Sequence, residues 1–326
     1  MDIVYTLDEN YCEVTGVSII SLFENNKGVL FELHIIDYGI TAEGKQKLLN
    51  IAEQYGQRIH FYPALDLEKK IPVALKGNGW SEICYERLFF PSILPESIVT
   101  VMHIDCDTLI RGSLEEVFNT NIDNYYYAAC IDCYPKPLRS INFDSRYPYM
   151  SNGLILINLK KWREDKLEER FIDCIVDYNG NLPHLDQDVL NIVCKGNVLT
   201  LPAKYNMMTH TLMYGSMCCD LYLEEEKYYT KEEIDHAVQN PIILHFTGSL
   251  YARRPWEQPS YHWYNKEWIQ YYRKADYSVT NTLLKRKKTR LSILKQIYAK
   301  FWIECIKIES LKKLRFFIDK KNVWRI

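Results

Sequence analysis

Short apolar runs alternate along this chain with longer stretches whose apolar residues recur every three or four positions. Residues 2–6 read as a first strand and residues 15–24 as a helix. Phe31-Glu-Leu-His-Ile-Ile-Asp37 reads as a second strand, and residues 41–55 as a helix with Leu48, Leu49, Ile51, Ala52 and Tyr55 on its apolar side. Arg58 to Pro63 predicts a third strand, and residues 81–90 a helix that stops before Pro91. Ile98 to Ile104 is apolar and β-branched, the composition of a strand covered on both faces. Residues 126–131 and 153–159 predict further strands, residues 160–178 a long helix, and a second helix starts near Asp186. Ile242 to Phe246 is a late strand. Strands and helices taken in turn argue for an α/β fold with a single doubly wound, mainly parallel sheet.

The last segment has another character. Leu291, Leu294, Ile297, Tyr298, Phe301, Cys305 and Ile308 recur at three- and four-residue steps, with Lys295, Lys300 and Lys307 between them. Leu311, Leu314, Phe317 and Ile318 continue the pattern. From residue 281 to 326 there are 14 Lys or Arg against 3 Asp or Glu, a balance of +11. The net charge of the whole chain is −2, so the preceding body carries −13. This divides the chain into a main domain over residues 1–276 and a basic amphipathic helical tail over 281–326. With Trp302 and Trp324 among its apolar residues, such a tail suits the interface of an anionic membrane. The alternative is a helix that packs on the body and covers it with lysine stems. No nucleic-acid-binding motif accompanies the charge, so a nucleic-acid partner is not expected.

A hydrophobic content of 47% with 25% charged residues is ordinary for a soluble globular protein. No uncharged apolar stretch is long enough for a transmembrane helix, and the N-terminus lacks the positive region of a signal peptide. The ten cysteines are scattered. Cys130-x-x-Cys133 has neither a second pair nor adjacent histidines, so reduced cytosolic thiols are expected rather than zinc ligands.

The chemistry concentrates at Asp105-Cys106-Asp107, directly after the strand ending at Ile104. In open α/β sheets the carboxyl edge is where ligands bind. Two carboxylates one residue apart there can each give an oxygen to a divalent cation, which can neutralise a diphosphate. His245, at the end of the late strand, offers an imidazole nitrogen, and one nitrogen beside carboxylates favours manganese over magnesium. Taken singly, each has a bland reading: a chance Asp-x-Asp, and a satisfied core histidine.

Further segments remove that ambiguity: Asp8-Glu-Asn-Tyr11, Tyr85-Glu-Arg-Leu88, His103-Ile-Asp-Cys-Asp107, Gly153-Leu-Ile-Leu-Ile-Asn-Leu-Lys-Lys-Trp162, Asp186-Gln-Asp188 and His245-Phe-Thr-Gly248 before Arg254-Pro-Trp256. In this order the chain resembles the retaining glycosyltransferases of family 8, and within them the bacterial lipopolysaccharide and lipooligosaccharide galactosyl- and glucosyltransferases. The resemblance covers residues 1 to about 268, with a similar basic tail beyond. It implies a nucleotide-sugar-binding fold of the glycosyltransferase A type, and a catalytic domain over 1–276. It implies a metal, Mn2+ with Mg2+ as possible substitute, on Asp105, Asp107 and His245.

The nucleobase and ribose would lie among Thr6, Leu7, Asp8, Asn10 and Tyr11, with Ile104 and Asp105 beside them. The donor sugar would meet Arg87, Asp132, Ser151, Asn152, Asp186 and Gln187. Gln187, Asp186 and Arg87 would be the catalytic group, with the glutamine beneath the anomeric carbon. Gly248 and either Arg253 or Arg254 would face the diphosphate. Two departures stand out. The loop after Gly248 carries three extra residues with arginine in place of lysine, and Met150-Ser-Asn-Gly153 shifts the family's asparagine by one position.

The expected activity is transfer of galactose or glucose from UDP-galactose or UDP-glucose to a lipid-linked saccharide. It would take place at the cytoplasmic face of the plasma membrane. Two alternatives stay open: a self-glycosylating primer of the glycogenin kind, and a non-catalytic UDP-sugar-binding scaffold.

Overall fold

The computed structural model describes the chain except residues 78–80, 133–140, 145, 222–226, 249–251, 258–259, 276–289 and 324–326. Its centre is a seven-stranded sheet built from β1 (Asp2–Leu7), β2 (Glu32–Asp37), β3 (Arg58–Pro63), β4 (Thr100–Ile104), β6 (Tyr127–Ile131), β7 (Met150–Asn158) and β8 (Val198–Thr200). Their order is β3-β2-β1-β4-β7-β6-β8. The neighbours from β3 to β4 are parallel, as are β6 and β8, while β7 runs antiparallel to β4 and β6. Six of the seven strands therefore point one way, which makes the sheet mainly parallel as expected. The order turns back at β1 and β4, the place where such sheets open a crevice.

A second sheet, absent from the sequence reading, joins β5 (Thr108–Ile110), β10 (Ile243–His245) and β9 (Met207–Met208) in the order β5-β10-β9. The late strand expected at 242–246 belongs here, not to the main sheet. An apolar triplet reads the same for either location.

Helices α1 (Cys12–Asn25) and α2 (Ala42–Gln54) form as read; Thr41 caps α2 by accepting from Gly44 N. Residues 82–89 form a 3-10 helix, followed by a short α turn, Phe90–Ile93, that places Pro91 in its first positions. The single helix expected over 160–178 is two, α3 (Leu159–Glu164) and α4 (Leu167–Asp177). Lys166 between them takes a left-handed backbone, φ 50°, which breaks the helical hydrogen bonding without glycine or proline. Next come α5 (Leu185–Cys194), α6 (Thr209–Tyr214), α7 (Lys231–Gln239) and α8 (Asn265–Lys274).

Both faces of the sheet are covered. Leu154, Leu156, Met102 and Ile104 belong to one core, and Ile155, Ile157 and Val101 to the other. Each such side chain contributes about 1.5–3 kcal/mol by leaving water. Among the described residues the nine cysteines form no disulfide; Cys133 lies outside them.

The tail is two helices, α9 (Arg290–Cys305) and α10 (Glu309–Val323), not one. It docks on the body: Ile303, Ile306 and Phe316 join the core, and Phe316 meets Tyr214 edge to face at 5.3 Å. The opposite side leaves Ile293, Leu294, Ile297, Tyr298, Phe301, Ile308, Leu314 and Phe317 exposed. No helix among the described residues is long and apolar enough to cross a membrane.

Candidate active site

The acidic turn sits at the carboxyl end of β4 and is held from several sides. Asp105 N donates to Gly153 O on β7 at 2.9 Å, and Phe246 N, just after β10, donates to Asp107 O at 2.8 Å. The Thr108 hydroxyl donates to Asp105 O at 2.9 Å and lies 2.8 Å from the Ser18 hydroxyl on α1, which lies 3.1 Å from Tyr5 OH on β1. This buried chain ties the turn to the first strand and helix, so both carboxylates project from a fixed backbone.

His245 completes a three-residue cluster with them. The ligand atoms of Asp105, Asp107 and His245 all lie within 4.8 Å of one another, and no other such group occurs among the described residues. His245 Nε2 is 3.2 Å from Asp107 Oδ1 and 3.6 Å from Asp105 Oδ2. Its Nδ1 is 2.9 Å from Asn206 Oδ1. The ring is seated on Gly153, where an added Cβ would stand 2.4 Å from Nδ1. Two carboxylates and one imidazole with a bonded far nitrogen suit a divalent cation. Burial opposes charge on Asp107, yet His245 and Arg254 hold its carboxyl below the usual range.

On the other side of Asp105 stands Arg87, buried in the 3-10 helix. Its guanidinium reaches Asp105 Oδ1 at 3.1 Å, Asp186 Oδ2 at 2.9 Å and Asn152 O at 2.9 Å. Arg87 therefore bridges the Asp105 carboxylate and the start of α5. Burial pushes the Asp186 carboxyl up to about 7, against the pull of Arg87. Asn152 Nδ2 also donates to Asp186. The neighbouring amide of Gln187 is fixed at both ends: Nε2 donates to Asp132 at 2.8 Å and Oε1 accepts from Asn152 N at 3.2 Å.

Local folding explains why α5 delivers these groups. Asn191 pairs like a peptide with Met150, accepting from its N at 2.6 Å and donating to its O at 2.8 Å. Asp188 accepts from Tyr149 OH at 2.6 Å and from His184 N at 2.7 Å, so it secures the helix start rather than facing the site. Leu185, immediately before Asp186, has φ 50°, an unfavourable backbone for a branched residue, costing about 1–2 kcal/mol.

The first strand ends in a 3-10 turn, Glu9–Tyr11, so Tyr11 lies in a turn beyond the strand terminus. Asp8 caps it, accepting from Tyr11 N at 3.2 Å and Asn10 Nδ2 at 3.0 Å. Thr6 Oγ1 is buried without a hydrogen bond among the described residues. Leu7 and Ile104 are buried in the core, so only their main chains can face a ligand. Arg254 joins this arm to the cluster, with NH1 2.9 Å from Tyr11 OH and NH2 3.0 Å from Asp107 Oδ2. Arg253 does not reach it; its side chain is 3.7 Å from Glu257. Among the described residues nothing lies within 4 Å of where a Gly248 Cβ would be; residues 249–251 of its loop lie outside them.

Ser151 and Asn152 diverge. Ser151 Oγ accepts from Asn206 Nδ2 at 2.9 Å, behind His245, while Asn152 faces Asp186. The sequence reading missed Asn206, the residue that joins Ser151 to the histidine. It follows a 3-10 turn (Ala203–Tyr205) and carries no local motif, and only the pairing of β9 with β10 brings it to His245.

Residues 2–259 match the model of glycosyl transferase family 8. A lipopolysaccharide 1,2-glucosyltransferase of Escherichia coli is 29% identical over 83% of this chain and 76% of its own length. A lipopolysaccharide 1,3-galactosyltransferase of Salmonella typhimurium is 26% identical over 63% of each chain. The crystal structure of galactosyltransferase LgtC with donor and acceptor sugar analogues superposes with a TM-score of 0.72 at 21% identity, over 90% of this chain and all of that one. With the fold, the acidic turn at a strand end and a family match across most of its length, this chain belongs to glycosyl transferase family 8 and is a glycosyltransferase.

Proposed function

We propose that the protein is a metal-dependent, retaining hexosyltransferase that moves galactose or glucose from a UDP-sugar to a lipid-linked saccharide in cell-surface polysaccharide synthesis. The observation that carries this reading is the double junction at the acidic turn. Asp107 is linked through Arg254 to Tyr11 on the nucleotide arm, and Asp105 through Arg87 to Asp186 and Gln187.

In this reading Asp105, Asp107 and His245 hold Mn2+, or Mg2+ in its place, which supplies charge neutralisation for the departing diphosphate. Tyr11 offers a flat face to the nucleobase, and the unbonded Thr6 hydroxyl and Asp8 meet its edge. Arg254 adds positive charge where negative charge develops on the leaving group. Gly248 leaves room for phosphate oxygens. Asp132, Asn152 and Asp186 orient the sugar hydroxyls. Gln187 lies beneath the anomeric carbon, and an amide is too weak a nucleophile for a covalent intermediate. Attack from the front face is the remaining route to retention: the glycosidic bond to the diphosphate breaks, the acceptor oxygen bonds the same face, and its proton passes to the diphosphate. The Gln187 carbonyl dipole steadies the positive charge between these events.

The tail supports attachment to an anionic membrane surface. Its outer side exposes apolar residues beside Lys295, Lys300, Lys307 and Lys313, a combination that attracts acidic headgroups and buries side chains among acyl chains. Holding the enzyme where a lipid-linked acceptor is confined raises the effective acceptor concentration.

UDP release from a panel of UDP-sugars, with Mn2+, Mg2+ or EDTA, tests the reading. Metal-dependent turnover of one UDP-hexose, lost in Asp107→Asn, is expected; turnover unaffected by EDTA would reject metal dependence. Removal of 281–326 should abolish binding to anionic vesicles and leave UDP-sugar binding intact. Vesicle binding by the truncated chain would reject the tail's role.

A further inference from the structure

Asn206 and Ser151 form a relay behind His245 that no step of the proposed reaction uses. Both are buried, at 5% and 3% exposure. The relay starts on β7 at Ser151, crosses 2.9 Å to the Asn206 amide beside β9, and crosses 2.9 Å again to His245 Nδ1 on β10. β9 and β10 are parallel neighbours, with Met207 opposite Leu244 and Met208 opposite His245, so the register of the small sheet puts Asn206 next to the ring. Gly153 provides the floor: a Cβ there would stand 2.5 Å from Cε1 and 3.1 Å from Asn206 Oδ1. The ring is thus gripped at one nitrogen and supported on one face, and its other nitrogen points at Asp107 and Asp105.

The amide orientation decides what that second nitrogen can do. An amide oxygen only accepts, so Oδ1 against Nδ1 makes Nδ1 the donor and leaves Nε2 its lone pair toward the carboxylates. A flipped amide would turn its NH2 toward Nδ1, and the ring proton would move to Nε2, where it blocks a cation. We infer that Asn206, supported by Ser151, is a positioning residue that sets His245 as a metal ligand through Nε2. This rests on the reading of Asp105, Asp107 and His245 as the metal site.

Direct Mn2+ titration of the full chain by electron paramagnetic resonance, without sugar nucleotide, tests it. Asn206→Ala should weaken Mn2+ binding by about 10–100-fold, the usual effect of losing a partner of a ligating histidine. Asn206→Asp keeps an acceptor at Nδ1 and should bind at least as tightly as the native chain. Ser151→Ala should weaken binding less than Asn206→Ala, and it tests the same relay if Asn206→Ala does not fold. Native affinity in Asn206→Ala, or in Ser151→Ala where that variant stands in, together with weak binding in His245→Ala would overturn the relay and keep the metal site. Native affinity in His245→Ala would overturn both.

Discussion

Gly153 and His245 touch so closely that position 153 has no room for a side chain: an added Cβ would stand 2.4 Å from one ring atom and 2.5 Å from the next. These are far inside van der Waals contact, and the atoms belong to a ring already hydrogen-bonded to Asn206, so it cannot simply swing aside. Gly153→Ala should therefore displace the imidazole. Overpacking of this kind costs about 1–3 kcal/mol, so the variant should remain folded. Thermal unfolding should show a small loss in Tm, while Mn2+ affinity and UDP-sugar turnover fall by about tenfold or more. Native Mn2+ affinity in a folded Gly153→Ala protein would show that the ring needs no such seat.

Arg87 stands between Asp105 and Asp186 with almost no water around it. Removing a cation from a buried pair leaves an uncompensated carboxylate, at a cost of about 3–5 kcal/mol. Arg87→Met should be destabilised by that order in urea unfolding. Adding Asp186→Asn should recover much of the loss, because the more deeply buried of the two carboxylates is then neutral and only the partly exposed Asp105 remains to be paired. Additive losses in the double variant would mean the two side chains are not energetically coupled.

The two arginines of the loop should behave differently. Arg254 contacts Asp107 and Tyr11, so Arg254→Ala should lower kcat/KM by about 10²-fold or more, as for loss of a donor to a developing oxyanion. Arg253 pairs with half-exposed Glu257, and Arg253→Ala should leave stability within about 1 kcal/mol of native and turnover near normal. Equal loss in both would contradict the separation of their roles.

Glu86 gives the protein a pH-dependent stability away from the site. It is fully buried, and burial pushes its carboxyl up to about 7, against donation from Leu65 N and the charge of Lys70. The folded value lies above the unfolded one, so the folded state holds the proton more tightly. Stability is fullest below the ordinary carboxyl range and declines as pH rises through about 7. Glu86→Gln should flatten this decline and be the more stable protein at pH 8, by up to about 3 kcal/mol. Parallel profiles for the two proteins in denaturant unfolding between pH 5 and 8 would refute it.

Much of the fold was legible because its signals are local. The strand at 98–104 announces itself by an unbroken apolar run, and its end fixes where Asp105 and Asp107 emerge. Residues 58–63 form the strand their composition suggests. What escaped depends on contacts distant in sequence or on backbone geometry without a residue signature. Lys166 breaks a helix although lysine favours helices, and the residues on both sides of the break, Leu159, Trp162, Leu167 and Phe171, are buried in one core. The partition of β10 into a second sheet follows from its partners β5 and β9, not from Ile243, Leu244 or His245 themselves. In the site, the acidic turn, Gln187 and His245 stand in recognisable segments. Asn206 does not, since its work is defined by a neighbour 39 positions away.

The antiparallel course of β7 gives the shifted asparagine a meaning. β7 shifts register against β6 between Met150 and Ile155, and within that stretch Ser151 and Gly153 lie toward His245 while the Asn152 side chain lies toward Asp186. Two residues serve His245: Ser151 through Asn206, Gly153 by leaving space. Asn152 serves the other half: its amide donates to Asp186, and its main-chain carbonyl accepts from Arg87. Moving an asparagine by one residue hands it from one half of the site to the other. Point substitutions in this stretch damage one half at a time.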